Sequence, residues 1–215
     1  MPTNAPTSQN SRPTRSKGQR RNAQRELHTL SAMTTIDDLI RLVQPPANPV
    51  HANGDWAAVE AALGLGLPAD FKDLIERYGS GLFVDFIAPL TPFGGRNLLV
   101  ESARQLLDGE RSFRRSNPDK CPYPFHPEPG GLLPWAGVDN GARLCWLTEG
   151  EPDSWTVVAW NPRSWYYEAY EVGAVEFLHD LLSGRITTAA FSLEEEDEEE
   201  GDESLPAPTF EPTWQ

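Results

Sequence analysis

The chain has 215 residues, 32 acids against 18 bases, a formal net charge of −14 and 39% hydrophobic residues. That length suits one domain with tails, and an acidic body lacks the clustered Lys/Arg face that phosphate contacts need, which excludes nonspecific nucleic-acid binding. The sequence holds no stretch of the roughly 18 apolar residues a membrane span requires, and its N-terminus lacks the apolar core of a secretory signal.

Charge is unevenly distributed. Residues 1–25 hold six bases (Arg12, Arg15, Lys17, Arg20, Arg21, Arg25) and no acid, whereas 194–215 hold ten acids and no base. Residues 1–32 are also polar and proline-punctuated, too poor in apolar groups to offset the entropy of ordering, and are expected to form a disordered basic tail. Met33, just before the first patterned segment, is a candidate natural start. Residues 194–215 are expected to be a disordered acidic tail: an acidic run over 194–203, then a short Pro/aromatic end. The folded domain would then span 33–193, large enough for a self-sufficient core. Cys121 and Cys145 make neither a disulfide framework nor a metal quartet. They read as reduced thiols of a cytoplasmic protein, with Cys145 in the core of a strand.

In chain order, Ile36, Leu39, Ile40 and Val43 recur at helical spacing over Thr35–Gln44, and Pro45-Pro46 stops that helix. Asp55 is a candidate N-cap for a helix over Trp56–Leu63. Leu67-Pro68 opens a third, striped by Phe71, Leu74, Ile75 and Tyr78 and closed at Gly79. The apolar run Leu82–Ile87 predicts one internal strand ended by Pro89, with Asp85 as its polar exception. Asn97 to about Arg115 predicts a helix interrupted at Gly109, and a proline-rich loop fills 117–129.

The spine is expected between Leu132 and Trp160. Asn140-Gly141 is a type I′ hairpin signal between Leu132–Trp135 and Leu144–Leu147, because both central residues of that turn need positive φ. A second turn at Gly150–Asp153 leads to a third strand, Trp155–Trp160, and Trp165–Tyr170 supplies a fourth. Gly173 precedes a last amphipathic helix through Leu182. The result is an α+β fold: N-terminal helices on one side of a mostly antiparallel sheet of about four to six strands, and a closing C-terminal helix.

Two groups of residues carry a family likeness. The first is Trp56-x-x-Val59-Glu60-x-x-Leu63-Gly64 followed by Leu67-Pro68-Ala69-Asp70-Phe71-Lys72-x-Leu74-x-x-x-Tyr78-Gly79. The second is Leu133-Pro134-Trp135-Ala136, Asn140-Gly141, Leu144-Cys145-Trp146, Pro152-x-x-Trp155 and the closing Val175-Glu176-Phe177-Leu178. In this order and spacing they resemble the SUKH superfamily over about residues 35–185. The resemblance implies an α+β module without enzymatic activity. Many bacterial members look like immunity proteins that neutralise a cognate toxin, and a fungal branch is tied to cell-wall synthesis and signalling. The motif residues identify a scaffold and not a partner.

The residues themselves offer no catalytic constellation. His28, His51, His126 and His179 are scattered, without metal-ligand spacing or a Cys/acid partner, so neither a metal nor a cofactor is expected. Glu149, Glu151 and Asp153 share one turn and read as solvated carboxylates. Such acids suit a protein partner with a basic face, for example a nuclease toxin, through steering and charge complementarity. The candidate contact set is therefore Asp85, Asp139, Glu149, Glu151 and Asp153, with Trp155, Trp160, Trp165 and Tyr167 as aromatic anchors where exposed. A regulatory or scaffold module on the same fold is the alternative reading.

Overall fold

Seven antiparallel strands form the sheet against which the helices pack, in the order β6 (Tyr166–Tyr170), β5 (Thr156–Asn161), β4 (Arg143–Leu147), β3 (Leu132–Val138), β2 (Ile87–Pro89), β1 (Gly81–Phe83) and β7 (Phe210–Pro212). The computed structural model describes residues 34–94, 96, 98–191 and 208–213, the side chains of 105–108 excepted, all within the unit 34–215. Three helices come first: α1 (Ile36–Leu42), α2 (Trp56–Leu63) and α3 (Ala69–Tyr78). Asp55 caps α2 by accepting the Ala58 N–H at 3.1 Å, and Gly64 ends it in the left-handed region. Gly79 ends α3 at φ 68°, where a Cβ would lie 2.1 Å from the Val50 carbonyl oxygen, so no other residue fits.

The apolar run 82–87 is not one strand. It folds into β1 (Gly81–Phe83) and β2 (Ile87–Pro89), joined by a turn in which Val84 and Asp85 take φ 49° and 56°. Phe86 N–H donates to the Phe83 carbonyl at 3.0 Å and closes that turn. A β-branched residue in the left-handed region is rare, so the sequence carries no turn signal here. Tertiary contacts hold it: Val84 is buried, and its N–H donates to Thr209 O at 2.9 Å.

The next helical stretch is continuous through Gly109. It comprises α4 (Leu98–Glu101), a π-helical segment Ser102–Leu106 and α5 (Leu107–Ser116), so the irregularity lies at 102–106. Its first half joins the main core through Leu99, Val100 and Ala103. Its last turns reach the second face of the sheet, where Glu110 pairs with Arg143 at 3.3 Å and Phe113 stacks on Trp165. Helices are therefore not segregated on one side.

The meander follows as expected: β3 (Leu132–Val138), β4 (Arg143–Leu147), β5 (Thr156–Asn161) and β6 (Tyr166–Tyr170). A bulge between Pro134 and Ala136 shifts the β3–β4 register. Alternation assigns Leu133, Trp135, Leu144, Trp146, Val157 and Ala159 to the main core, beneath α1 to α3 and α6 (Ala174–Leu182). Leu132, Cys145, Val158 and Trp160 face a second, smaller core closed by Phe125 and Tyr123 of the proline-rich loop. Both faces are covered, which is why nearly every position of β3 to β5 is buried.

The last strand falls in the stretch expected to be unfolded. Phe210–Pro212 forms β7, antiparallel to β1 with Phe83 opposite Phe210 and Gly81 opposite Pro212. The expected disorder of 1–32 and of the acidic run 194–203 lies outside the described residues.

Candidate partner-binding surface

Alternating strand directions bring three turns to one end of the sheet, in a row: β1–β2 at 84–86, β3–β4 at 139–142 and β5–β6 at 162–165. Neighbouring turns in this row are two strand spacings apart, roughly 10 Å. The hairpin turns at Asn140-Gly141, but not as the expected type I′. Of the two residues Gly141 alone takes positive φ, 88°, its N–H donates to Val138 O at 2.8 Å and Asn140 Oδ1 accepts the Ala142 N–H at 2.9 Å, so the loop is the three-residue kind closed by a left-handed glycine. A 3₁₀ turn over Ala189–Phe191 crosses the row. Asn140 Nδ2 donates to Phe191 O at 2.8 Å, Asn161 Nδ2 donates to Ala190 O at 3.1 Å, and the Phe191 ring packs edge-on against Phe86 at 5.9 Å.

Asp85 and Asp139 are both exposed on this row. Their turns are cross-linked, because the Asp139 N–H donates to the Phe86 carbonyl at 3.0 Å. Arg163 lies beside Gly141 and adds one cation. Residues 192–207, which carry nine acids and no base, join Phe191 to Pro208. Phe191 and Thr209, the described residues on either side, are both bonded to this end.

The β5–β6 corner supplies aromatics. Trp165 is half-buried, face to face with Phe113 at 3.9 Å and 8°. Tyr167, also half-buried, stacks on Trp160 at 5.7 Å and 3°. Trp165, Tyr166 and Tyr167 border an open depression of about 420 Å³ together with Lys120 and Ser164. Tyr166, 40% accessible, is the exposed large hydrophobic side chain among the described residues, and sequence reasoning missed it. Alternation puts Tyr166 on the same face as Tyr170, whose ring is covered by Phe177 at 5.0 Å. Where that cover stops is a tertiary fact that the strand pattern does not carry.

Two expected anchors lie inside the protein. Trp160 has no accessible surface, held between Phe125 at 5.3 Å and Tyr167, with the Arg143 guanidinium 5.3 Å from its ring centre. Trp155 is 6% accessible and donates its indole N–H to Gly150 O at 3.2 Å. Neither can be a surface anchor.

The acidic turn 149–153 lies at the opposite end of the sheet, beyond the five residues of β4, or about 17 Å of strand. Glu149 and Glu151 are exposed there. Asp153 is used within the fold, where its Oδ1 accepts the Ala69 N–H at 2.7 Å and caps α3. The candidate residues thus divide into Asp85, Asp139, Trp165 and Tyr167 at the hairpin end, and Glu149, Glu151 and Asp153 at the other.

The other titratable groups serve packing. Burial pushes the Cys145 thiol up to about 12 and raises Cys121 as well, so both are poor nucleophiles. Burial lowers His126, with Arg111 acting the same way. Asp180 forms an ion pair with Arg185 at 3.0 Å at the end of α6, and His179 Nδ1 lies 3.1 Å from the same carboxylate. Among the described residues no group of three His, Cys, Asp or Glu side chains could hold a metal ion, and no helix is long and apolar enough to cross a membrane.

A family model described as SUKH_6, SMI1-KNR4 cell-wall, matches residues 53–178, more than half of the 215-residue chain. The matched span runs from the start of α2 into α6 and leaves α1, the Ala189–Phe191 turn and β7 outside it. Comparison with the curated proteins and with the solved structures gave no match.

Proposed function

This chain belongs to the SUKH superfamily, and we propose that it works as a non-enzymatic binding module, an immunity protein that neutralises a cognate toxin by covering its basic face. The observation that carries this reading is the hairpin end: Asp85 and Asp139 are exposed on two turns fixed to each other by the Asp139–Phe86 backbone bond. Fixed carboxylates cost little ordering entropy on binding and accelerate encounter with a cationic partner. Trp165, Tyr166 and Tyr167 beside them are aromatics of the kind that anchor interfaces. A neutralising protein needs no reacting group of its own, since covering a nuclease's phosphate-binding cations already blocks substrate.

The description of the matching family model, SMI1-KNR4 cell-wall, favours a second reading, a regulatory scaffold on the same fold. Charge reversal separates the two. Asp85→Lys with Asp139→Lys should slow association with a basic toxin domain at least tenfold and remove its salt dependence. Glu149→Lys with Glu151→Lys should change it far less. Capture of several substoichiometric wall-synthesis or signalling proteins, insensitive to both reversals, would support the scaffold reading instead.

A further inference from the structure

The outer edge of β1 carries a seat for an aromatic ring. Gly81 has no side chain, and a Cβ there would lie 2.2 Å from the Phe210 ring, so the ring occupies the space over that glycine. Tyr78 and Phe83 wall it, with ring centres 5.1 and 4.8 Å from that of Phe210. Backbone bonds bracket the seat: Val84 N–H donates to Thr209 O at 2.9 Å, and Thr213 N–H donates to Ser80 O at 3.1 Å. This is the geometry of strand addition, in which main-chain bonds give affinity and a side-chain pocket gives specificity.

The occupant is the strand at the edge of the sheet. β7 has three residues, one aromatic anchor and, among the described residues, no strand on its outer side. It follows a 16-residue acidic connection and lies outside the span that matches the family. The sheet from β1 to β6 is continuous without it.

We propose that the β1 edge is a docking groove for an extended partner segment with an aromatic residue seated over Gly81 and a proline two residues later, and that Thr209–Thr213 fills this groove in cis as a displaceable competitor. The pattern is that of Phe210-Glu211-Pro212, where the proline needs no inward donor on an edge strand. Tethering sets the local concentration of the cis segment in the millimolar range, so an incoming segment competes with it rather than meeting an open edge. The groove adjoins the Asp85 turn through the bond from Val84 N–H to Thr209 O, but the proposal does not depend on the role of the hairpin carboxylates.

The test uses the full chain and a fluorescent peptide copying residues 208–215. Phe210→Ala, which empties the seat, should bind the peptide about tenfold or more tightly than wild type. A peptide with its Phe changed to Ala should bind neither protein, and adding Gly81→Val to Phe210→Ala should abolish binding. Equal binding by wild type and a folded Phe210→Ala variant would overturn the proposal. Amide exchange on the wild type gives a second readout. Val84 and Thr213 amides exchanging at least tenfold faster than those of β4 support local release of β7, and exchange at the β4 rate would overturn it.

Discussion

The half-buried carboxylate of Asp70, at the start of α3, accepts the backbone N–H of Val175, at the start of α6, at 3.0 Å. Gly173 leaves room for it, since a Cβ there would lie 2.5 Å from Asp70 Oδ2. Asp153 in turn caps α3 itself through the Ala69 N–H. One carboxylate from the β4–β5 loop thus fixes α3, and a carboxylate on α3 fixes α6, which ties both helices to the sheet.

Asp70→Ala should lower stability by about 1–2 kcal/mol, the usual cost of a lost cap, read as a fall in the urea midpoint. The pH dependence has a definite sign. Burial raises the Asp70 carboxyl above its ordinary 3.8, with the Asp153 charge adding to the effect. A raised carboxyl contributes stability that is fully present below the unfolded value and lost as pH rises through the folded one. The stability of wild type relative to Asp70→Asn should therefore be greater near pH 3.5 than near pH 7. The opposite trend would show that amide donors, not burial, dominate the site.

Asp153→Lys should cost about 1–2 kcal/mol, because it removes the α3 cap and sets a cation against the positive end of that helix. Glu149→Lys and Glu151→Lys should each stay within about 0.5 kcal/mol, as expected at exposed positions. Thermal unfolding of the three single variants separates them, and equal losses would contradict the capping role.

Asp85 sits at φ 56°, a region where glycine suffers no steric penalty. Asp85→Gly should leave stability unchanged or raise it by up to about 1 kcal/mol, while slowing association with a basic partner. A loss of more than about 1 kcal/mol would mean that the exposed carboxylate makes a structural contact.

Cys145 should resist thiol reagents in the native state and react on unfolding, given its burial and its thiol raised to about 12. Cys121, also buried and raised, should follow. Rapid native labelling of Cys145 would contradict the closed second core.

What the sequence revealed and what it hid follow one physical division. Local signals worked: Asp55 as a cap, Gly79 as a helix end, Asn140-Gly141 as a turn and the strands β4 to β6 are each decided within a few residues. Features decided by distant partners did not show. The Val84-Asp85 turn has no turn composition and is held by Thr209 and by the bond between Phe86 and Asp139. β7 is a three-residue strand beyond an acidic run, recognisable by its fit over Gly81. Which aromatics reach the surface is hidden for the same reason. Strand aromatics look alike in a sequence whether a helix or the proline-rich loop covers them. Trp155 and Trp160 are covered, whereas Tyr166 is not. Carboxylates close together in the sequence can also differ in use: Asp153 caps a helix, while Glu151 faces solvent.

The most direct measurement is parallel capture from the protein's own cells with three tagged forms: wild type, Asp85→Lys/Asp139→Lys and Glu149→Lys/Glu151→Lys, with bound proteins identified by mass spectrometry. The expected result is one stoichiometric partner bearing a basic, toxin-like domain, retained by wild type and by the Glu149/Glu151 form and lost from the Asp85/Asp139 form. Equal retention by a folded Asp85/Asp139 form, or loss confined to the Glu149/Glu151 form, would contradict the assignment of the hairpin end as the neutralising surface.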